Sequence, residues 1–202
     1  MVTTKHRGIV IQSQLPHTGR LIIIDSALGK IDARISTKLK HHRLVHGAYI
    51  EYSHNKERDI FWIQDIELLM LPASWVMKNI HFFHHILELM RFFLMYHNPN
   101  RELMDHLHHM YVEYVPETEL FFQFGYLSRF FLLIGICPEE SHDLSISLFR
   151  LISAPIDIML NVRDDMLVSR QLSEWLQKCL LLHPDAHRMQ TKHFIDMDTH
   201  DE

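Results

Sequence analysis

The sequence changes period at residue 72, and that change narrows the folds open to it. Before it, short apolar runs are separated by turn signals. "GIVIQSQ" (8–14) leads into "LPHTG", "RLIIIDS" (20–26) closes at Leu28 and Gly29, and "KIDARIS" (30–36) alternates strictly. In the last of these, Ile31, Ala33 and Ile35 share one face while Lys30, Asp32 and Arg34 share the other, which is the pattern of a strand. "AYIEYSH" (48–54), the polar turn "NKERD" (55–59) and "IFWIQDIELLML" (60–71) follow. Five short strands with one long internal connection suit a small barrel of the OB type.

From Pro72 onward the apolar residues recur every three to five positions. Trp75, Ile80, Phe83, Leu87, Met90 and Leu94 make an amphipathic helix that starts at Pro72 and stops at "NPN" (98–100). Further helices are predicted over 101–115, ended by Pro116, and over 117–136, closed by Gly135 and Pro138. Two more follow, over 141–154 with Ser141 as N-cap and over 163–183 before Pro184; the acidic tail from Asp185 is read as frayed. The predicted architecture is therefore α+β: an N-terminal OB-fold five-stranded β-barrel (1–72) followed by an all-helical domain (73–202).

Hydrophobic residues make up 47% of the chain, enough for packed cores. The two cysteines, Cys137 and Cys179, lie far apart and form no C-x-x-C, which points to a reducing compartment and away from a thiolate zinc site. "MVTTKHRGIVIQSQL" has too short an apolar run for a signal peptide. "LFFQFGYLSRFFLLIGIC" is interrupted by Gln123, Ser128 and Arg129, so a buried helix is expected rather than a membrane span. A soluble cytoplasmic protein is the expectation.

Charge is distributed unevenly. Residues 1–78 carry 11 basic and 7 acidic side chains, while 79–202 carry 9 basic and 18 acidic, in a chain of net charge −5. Residues 5–43 hold eight Lys and Arg against two acids, Asp25 and Asp32. Cations projecting from one face of a barrel can neutralise phosphates, and the middle strands of an OB barrel with their flanking loops are a usual place for oligonucleotides. Arg20, Lys30, Arg34, Lys38, Lys40 and Arg43 are the candidate DNA contacts, with His41 and His42 between them. The plainer reading is a solvated sheet face. Tyr49, Tyr52, Phe61 and Trp62 are the few aromatics nearby that could stack bases, so contact with the backbone is favoured over base reading.

Seven histidines fall between residues 81 and 109. His81 with His85, and His106 with His109, have spacings that could ligate a metal if two helices faced each other; an ordinary helix surface rich in His explains them as well. As partly exposed imidazoles they would make charge depend on pH near 6. No G-x-S-x-G, P-loop or G-x-G-x-x-G is present, and the acid pairs Glu139–Glu140 and Asp164–Asp165 sit at predicted helix starts. An enzyme is not expected. Phe121, Phe124, Phe130 and Phe131 are expected to build the helical core, a groove for a partner's peptide tail being the alternative.

Taken in order, several segments resemble the RecO family of bacterial recombination mediators. "GIVIQSQLPHTGRLIIIDSALGKI" is similar to the family's opening strands, and "ARISTKLKHHRLVHGAYIEY" to its basic connection into the fourth strand. "ELFFQFGYLSRFFLLIGICPEE" resembles its apolar helix with a Leu-Gly-x-x-Pro stop, and "WLQKCLLLHPDAHRMQTKHFI" its closing segment. The resemblance implies an OB domain that binds single- and double-stranded DNA and anneals strands. It implies work with RecR to load the RecA recombinase onto DNA coated by single-stranded-DNA-binding protein, whose acidic, Phe-ended tail meets the helical domain. It also implies a nucleoid-associated bacterial protein. Many members carry a zinc-binding cysteine cluster; this chain does not, so no metal or other cofactor is carried over. The rivals are an adaptor of the same architecture without DNA binding, and a metal-dependent helical enzyme built on the histidines.

Overall fold

The computed structural model describes residues 4–15, 17–35, 44–58, 60–71, 73–112, 120–138, 146–154 and 166–197. Five strands form a closed barrel: β1 (His6–Ser13), β2 (Arg20–Asp25), β3 (Gly29–Ile35), β4 (Tyr49–Glu57) and β5 (Ile60–Met70). They run in the order β1-β2-β3-β5-β4, with β4 returning to β1, and the only parallel pairing among them is β3 with β5. This is the arrangement of an OB barrel. Helices follow, so the chain is α+β.

Alternation decides which side chains fill the barrel. Val10, Leu21, Ile23, Ile31, Ala33, Ile35, Ile50, Tyr52, Phe61 and Ile63 point inward and are buried. The polar run "NKERD" is not a five-residue turn: β4 continues through Glu57 and the chain reverses at Arg58, which takes φ 57°. Inside the barrel Asp25 is wholly buried. It accepts hydrogen bonds from Tyr52 Oη (2.6 Å) and the amides of Ala27 (2.7 Å) and Leu28 (2.8 Å). His6 Nδ1 lies 3.5 Å from the same carboxylate.

The chain divides into two compact units, and the division differs from a single cut at residue 72. The first comprises Met1–Ser74 together with Leu94–Val112; the second comprises Trp75–Phe93 and Glu113–Glu202. Helix α2 (Arg101–Val112) thus belongs with the barrel. The Tyr49 ring lies 5.3 Å from His108 and 5.7 Å from Tyr111, and Tyr111 donates to the Gly47 carbonyl at 2.7 Å. Burial of apolar surface on the outside of the barrel explains the arrangement: Ile9, Ile22 and Ile24 alternate with the inward set yet are at most 6% exposed. On α2 itself, Leu103, Met104 and Leu107 are buried.

Ahead of α2, residues 94–98 cross β3. Tyr96 makes a parallel bridge with Lys30, and the amide of His97 donates to the Lys30 carbonyl at 3.0 Å. Gly29 sits at φ +72° with its α-carbon so close to Asn98 that a Cβ would lie 2.5 Å from that residue's backbone. Only glycine fits there.

In the second unit, α1 (Ala73–Phe93) is broken at Asn79 (φ −149°, ψ 73°). Asn79 Oδ1 accepts the Phe82 amide at 3.0 Å, so Asn79 caps a helix over 80–93. Pro72, expected at the helix start, lies outside the described residues. Helix α3 (Leu120–Leu133) is buried on nearly all sides, including Phe121, Phe124, Phe130 and Phe131 at 2% exposure or less, so these residues are core. Arg129 Nη1 donates to the Ala154 carbonyl beyond α4 (Ile146–Ser153). Helix α5 (Met166–Leu181) packs Trp175 edge-on to Phe131.

The tail departs from expectation through residue 197. A 3-10 turn (Ala186–Arg188) leads into α6 (Gln190–Met197), with Met189, Thr191 and Ile195 fully buried. Glu88 of α1 accepts the amides of Gln190 (2.9 Å) and Thr191 (2.8 Å) and the Thr191 hydroxyl (2.7 Å), so it caps α6 from another helix. Among the described residues no helix is long and apolar enough to cross a membrane.

Candidate nucleic-acid interface

The six candidate cations have different fates. Lys38, Lys40 and Arg43, with His41 and His42, lie outside the described residues. Lys30 is 6% exposed; its Nζ donates to the Leu94 carbonyl at 3.1 Å and sits 4.7 Å from the Tyr96 ring centroid. A buried ammonium committed to a carbonyl and a ring is a structural tie between β3 and the crossing segment, and not a surface contact for phosphate.

Arg20 grips Asp32 through two nitrogens, Nε at 2.9 Å from both carboxylate oxygens and Nη2 at 2.6 Å from Oδ2. The pair is about 40% exposed, and the carboxylate partly cancels the guanidinium charge while holding it protonated. Arg34 is exposed, and among the described residues its guanidinium has no ion pair or hydrogen bond. Of the six, Arg34 is therefore the one the described structure leaves open to a ligand.

Register shows what surrounds Arg34. Arg20 pairs with Arg34 across β2 and β3, Arg34 with Trp62 across β3 and β5, and Trp62 with Asn55 across β5 and β4. Paired residues share a face, so Arg20, Arg34, Trp62 and Asn55 form a transverse row on the outside of the barrel. At about 4.8 Å per strand, the row spans about 14 Å. It lies at the end of the barrel where β4 turns into β5. That turn brings Lys56, whose Nζ is 5.2 Å from the Phe61 ring centroid, and Arg58, both exposed. Asp32 and the exposed Glu57 are the carboxylates described at this end, while Asp59 is outside the described residues. The β1–β2 loop, with His17, reaches the same end next to Arg20.

Of the four candidate aromatics, Tyr52 and Phe61 fill the barrel and Tyr49 is covered by α2. Only Trp62 stands on the outer row. Asn55, Lys56 and Arg58 are absent from the sequence-derived set, because "NKERD" reads as a turn outside the basic stretch. The signal was there in its two cations and in the hairpin they close. Lys5 and Arg7 both bind Glu51 (2.6 and 3.1 Å), which holds that carboxyl below its ordinary range.

The two candidate histidine pairs fall in different units. His85 stacks on Phe194 in the second unit, while His106 and His109 belong to the first. Among the described residues no group of three or more His, Cys, Asp or Glu is placed to hold a metal ion. No protein-family model matches the chain, and no curated protein matches it either.

Proposed function

We propose that this protein is a non-enzymatic DNA-repair and recombination mediator of the RecO type. It binds DNA at the β4–β5 end of its barrel and anneals complementary strands. The observation that carries the reading is the outer row Arg20–Arg34–Trp62–Asn55, with the exposed Lys56 and Arg58 in the β4–β5 reversal that ends the barrel there, on a barrel of OB strand order. OB barrels hold oligonucleotides on the strand 2–3 face and the loops after strands 1 and 4, and this row occupies that region.

On this reading the partners are single- and double-stranded DNA, RecR and the acidic tail of single-stranded-DNA-binding protein, with RecA loaded indirectly. The protein works in the bacterial cytoplasm at the nucleoid. The net negative helical half keeps DNA off its own surface.

One observation favours a second reading, an adaptor without DNA binding: Arg20 is paired to Asp32 and Lys30 is buried. A strand-annealing assay separates the two. Complementary labelled oligonucleotides should anneal faster with the protein than without it, and Arg34→Ala combined with Arg58→Ala should slow them. Annealing at the spontaneous rate in the presence of the wild-type protein would favour the adaptor.

A further inference from the structure

We infer that the row on the outer barrel face takes unpaired bases, with one base stacked on the Trp62 indole, so that single strands are preferred to duplex. The inference rests on DNA binding at this site and specifies its ligand. Trp62 is partly exposed on the outside of a sheet whose other large aromatics are inside or covered. Among the described residues its indole makes no ring contact and no hydrogen bond. It is flanked in register by Arg34 on one side and Asn55 on the other.

These three groups match the three parts of a nucleotide in an open strand. The indole offers a face to a base, the guanidinium can pair with the adjoining phosphate, and the amide has both a donor and an acceptor for a base edge. A duplex could use only the cation, because its base faces are stacked inside. The charge pattern points the same way. A duplex carries a phosphate charge every 1.7 Å or so along its axis and is gripped through a broad field of cations. Here the exposed cations are interleaved with Asp32 and Glu57, which suits a narrow single-stranded path better than a wide footprint.

The test compares four labelled 20-mers by fluorescence anisotropy: an oligo-thymidine strand, its RNA counterpart, a duplex, and a strand with the same phosphates but abasic sites throughout. The thymidine strand is expected to bind at least about fivefold more tightly than the abasic one. Trp62→Ala is expected to remove that advantage and Trp62→Phe to keep most of it. In a Trp75→Phe, Trp175→Phe background, the remaining Trp62 emission should be quenched by the thymidine strand and not by the abasic one. Comparable tight binding of RNA would assign the site to single strands of either sugar. Equal binding of thymidine, abasic and duplex ligands, or an unchanged preference in Trp62→Ala, would overturn the stacking site while leaving DNA binding standing. Failure of all four to bind would instead remove the functional reading beneath it.

Discussion

The Asp25 carboxylate is the most constrained charge position in the barrel. It has no exposed surface, and three donors from the protein hold it: the Tyr52 hydroxyl and the amides of Ala27 and Leu28. Burial and the neighbouring carboxylate both push the Tyr52 hydroxyl well above its ordinary value of 10.0, so the phenol stays protonated as donor. Tyr52→Phe keeps the ring in the core but strips one donor from the acid, and should cost roughly 1–3 kcal/mol in a urea titration. The same geometry sets an alkaline limit. An unfolded tyrosine ionises near 10 and folded Tyr52 does not, so stability is complete below 10 and declines above it. The second unit has an acid limit. Burial against Phe194 lowers His85 from 6.5 to about 4, with His81 and His84 adding to the effect and Glu88 opposing it. Folding then favours the neutral imidazole: its contribution is whole above pH 6.5 and is lost as pH falls toward 4, by at most roughly 3 kcal/mol. His85→Phe should flatten this acid limb in denaturation midpoints measured from pH 7 to 4.

At the level of elements, α6 depends on a cap supplied from another helix. Glu88→Ala removes acceptors from the Gln190 and Thr191 amides and the Thr191 hydroxyl. Losing a helix cap costs about 0.5–2 kcal/mol. Hydrogen exchange over 190–197 should accelerate while exchange in α3 and the barrel stays near its wild-type rate; uniform acceleration would mean α6 is not separately anchored. Such a cap is not legible in sequence, since Glu88 and Gln190 are 102 residues apart. The tail therefore reads as a short polar end. The five strands were legible because "RLIIIDS" and "KIDARIS" carry β-branched runs and strict alternation, and α3 because its phenylalanines leave it no wet face. The break at Asn79 was hidden by apolar spacing that runs straight through it: periodicity reports which side chains are greasy, not whether one backbone dihedral leaves the helix.

For the molecule as a whole, the sequence placed the change from strands to helices correctly but not the membership of the units. Lys30 shows why. By alternation it belongs with Arg34 on an open face, and nothing nearby indicates that the backbone of Leu94, 64 residues on, accepts from its ammonium. The barrel is completed by residues that follow the first long helix. A fragment ending at Ser74 lacks the segment that bridges β3 and the helix that covers Tyr49. It should fail to show a cooperative melt by circular dichroism, while the whole chain melts cooperatively; a fragment as stable as the whole chain would contradict the division at 94–112.

Charge segregation was legible in the same way, as a bulk property whose details needed register to resolve. The functional account narrows to the end of the barrel that carries Arg34 and the exposed Lys56 and Arg58. A labelled single-stranded 20-mer titrated by anisotropy at two salt concentrations tests it directly. The wild type is expected to bind less tightly at the higher salt, and Arg34→Ala/Lys56→Ala/Arg58→Ala to bind more weakly with the slope of log affinity against log salt reduced by about two. A triple variant with wild-type affinity and an unchanged slope would show that nucleic acid, if bound at all, lies elsewhere on the protein.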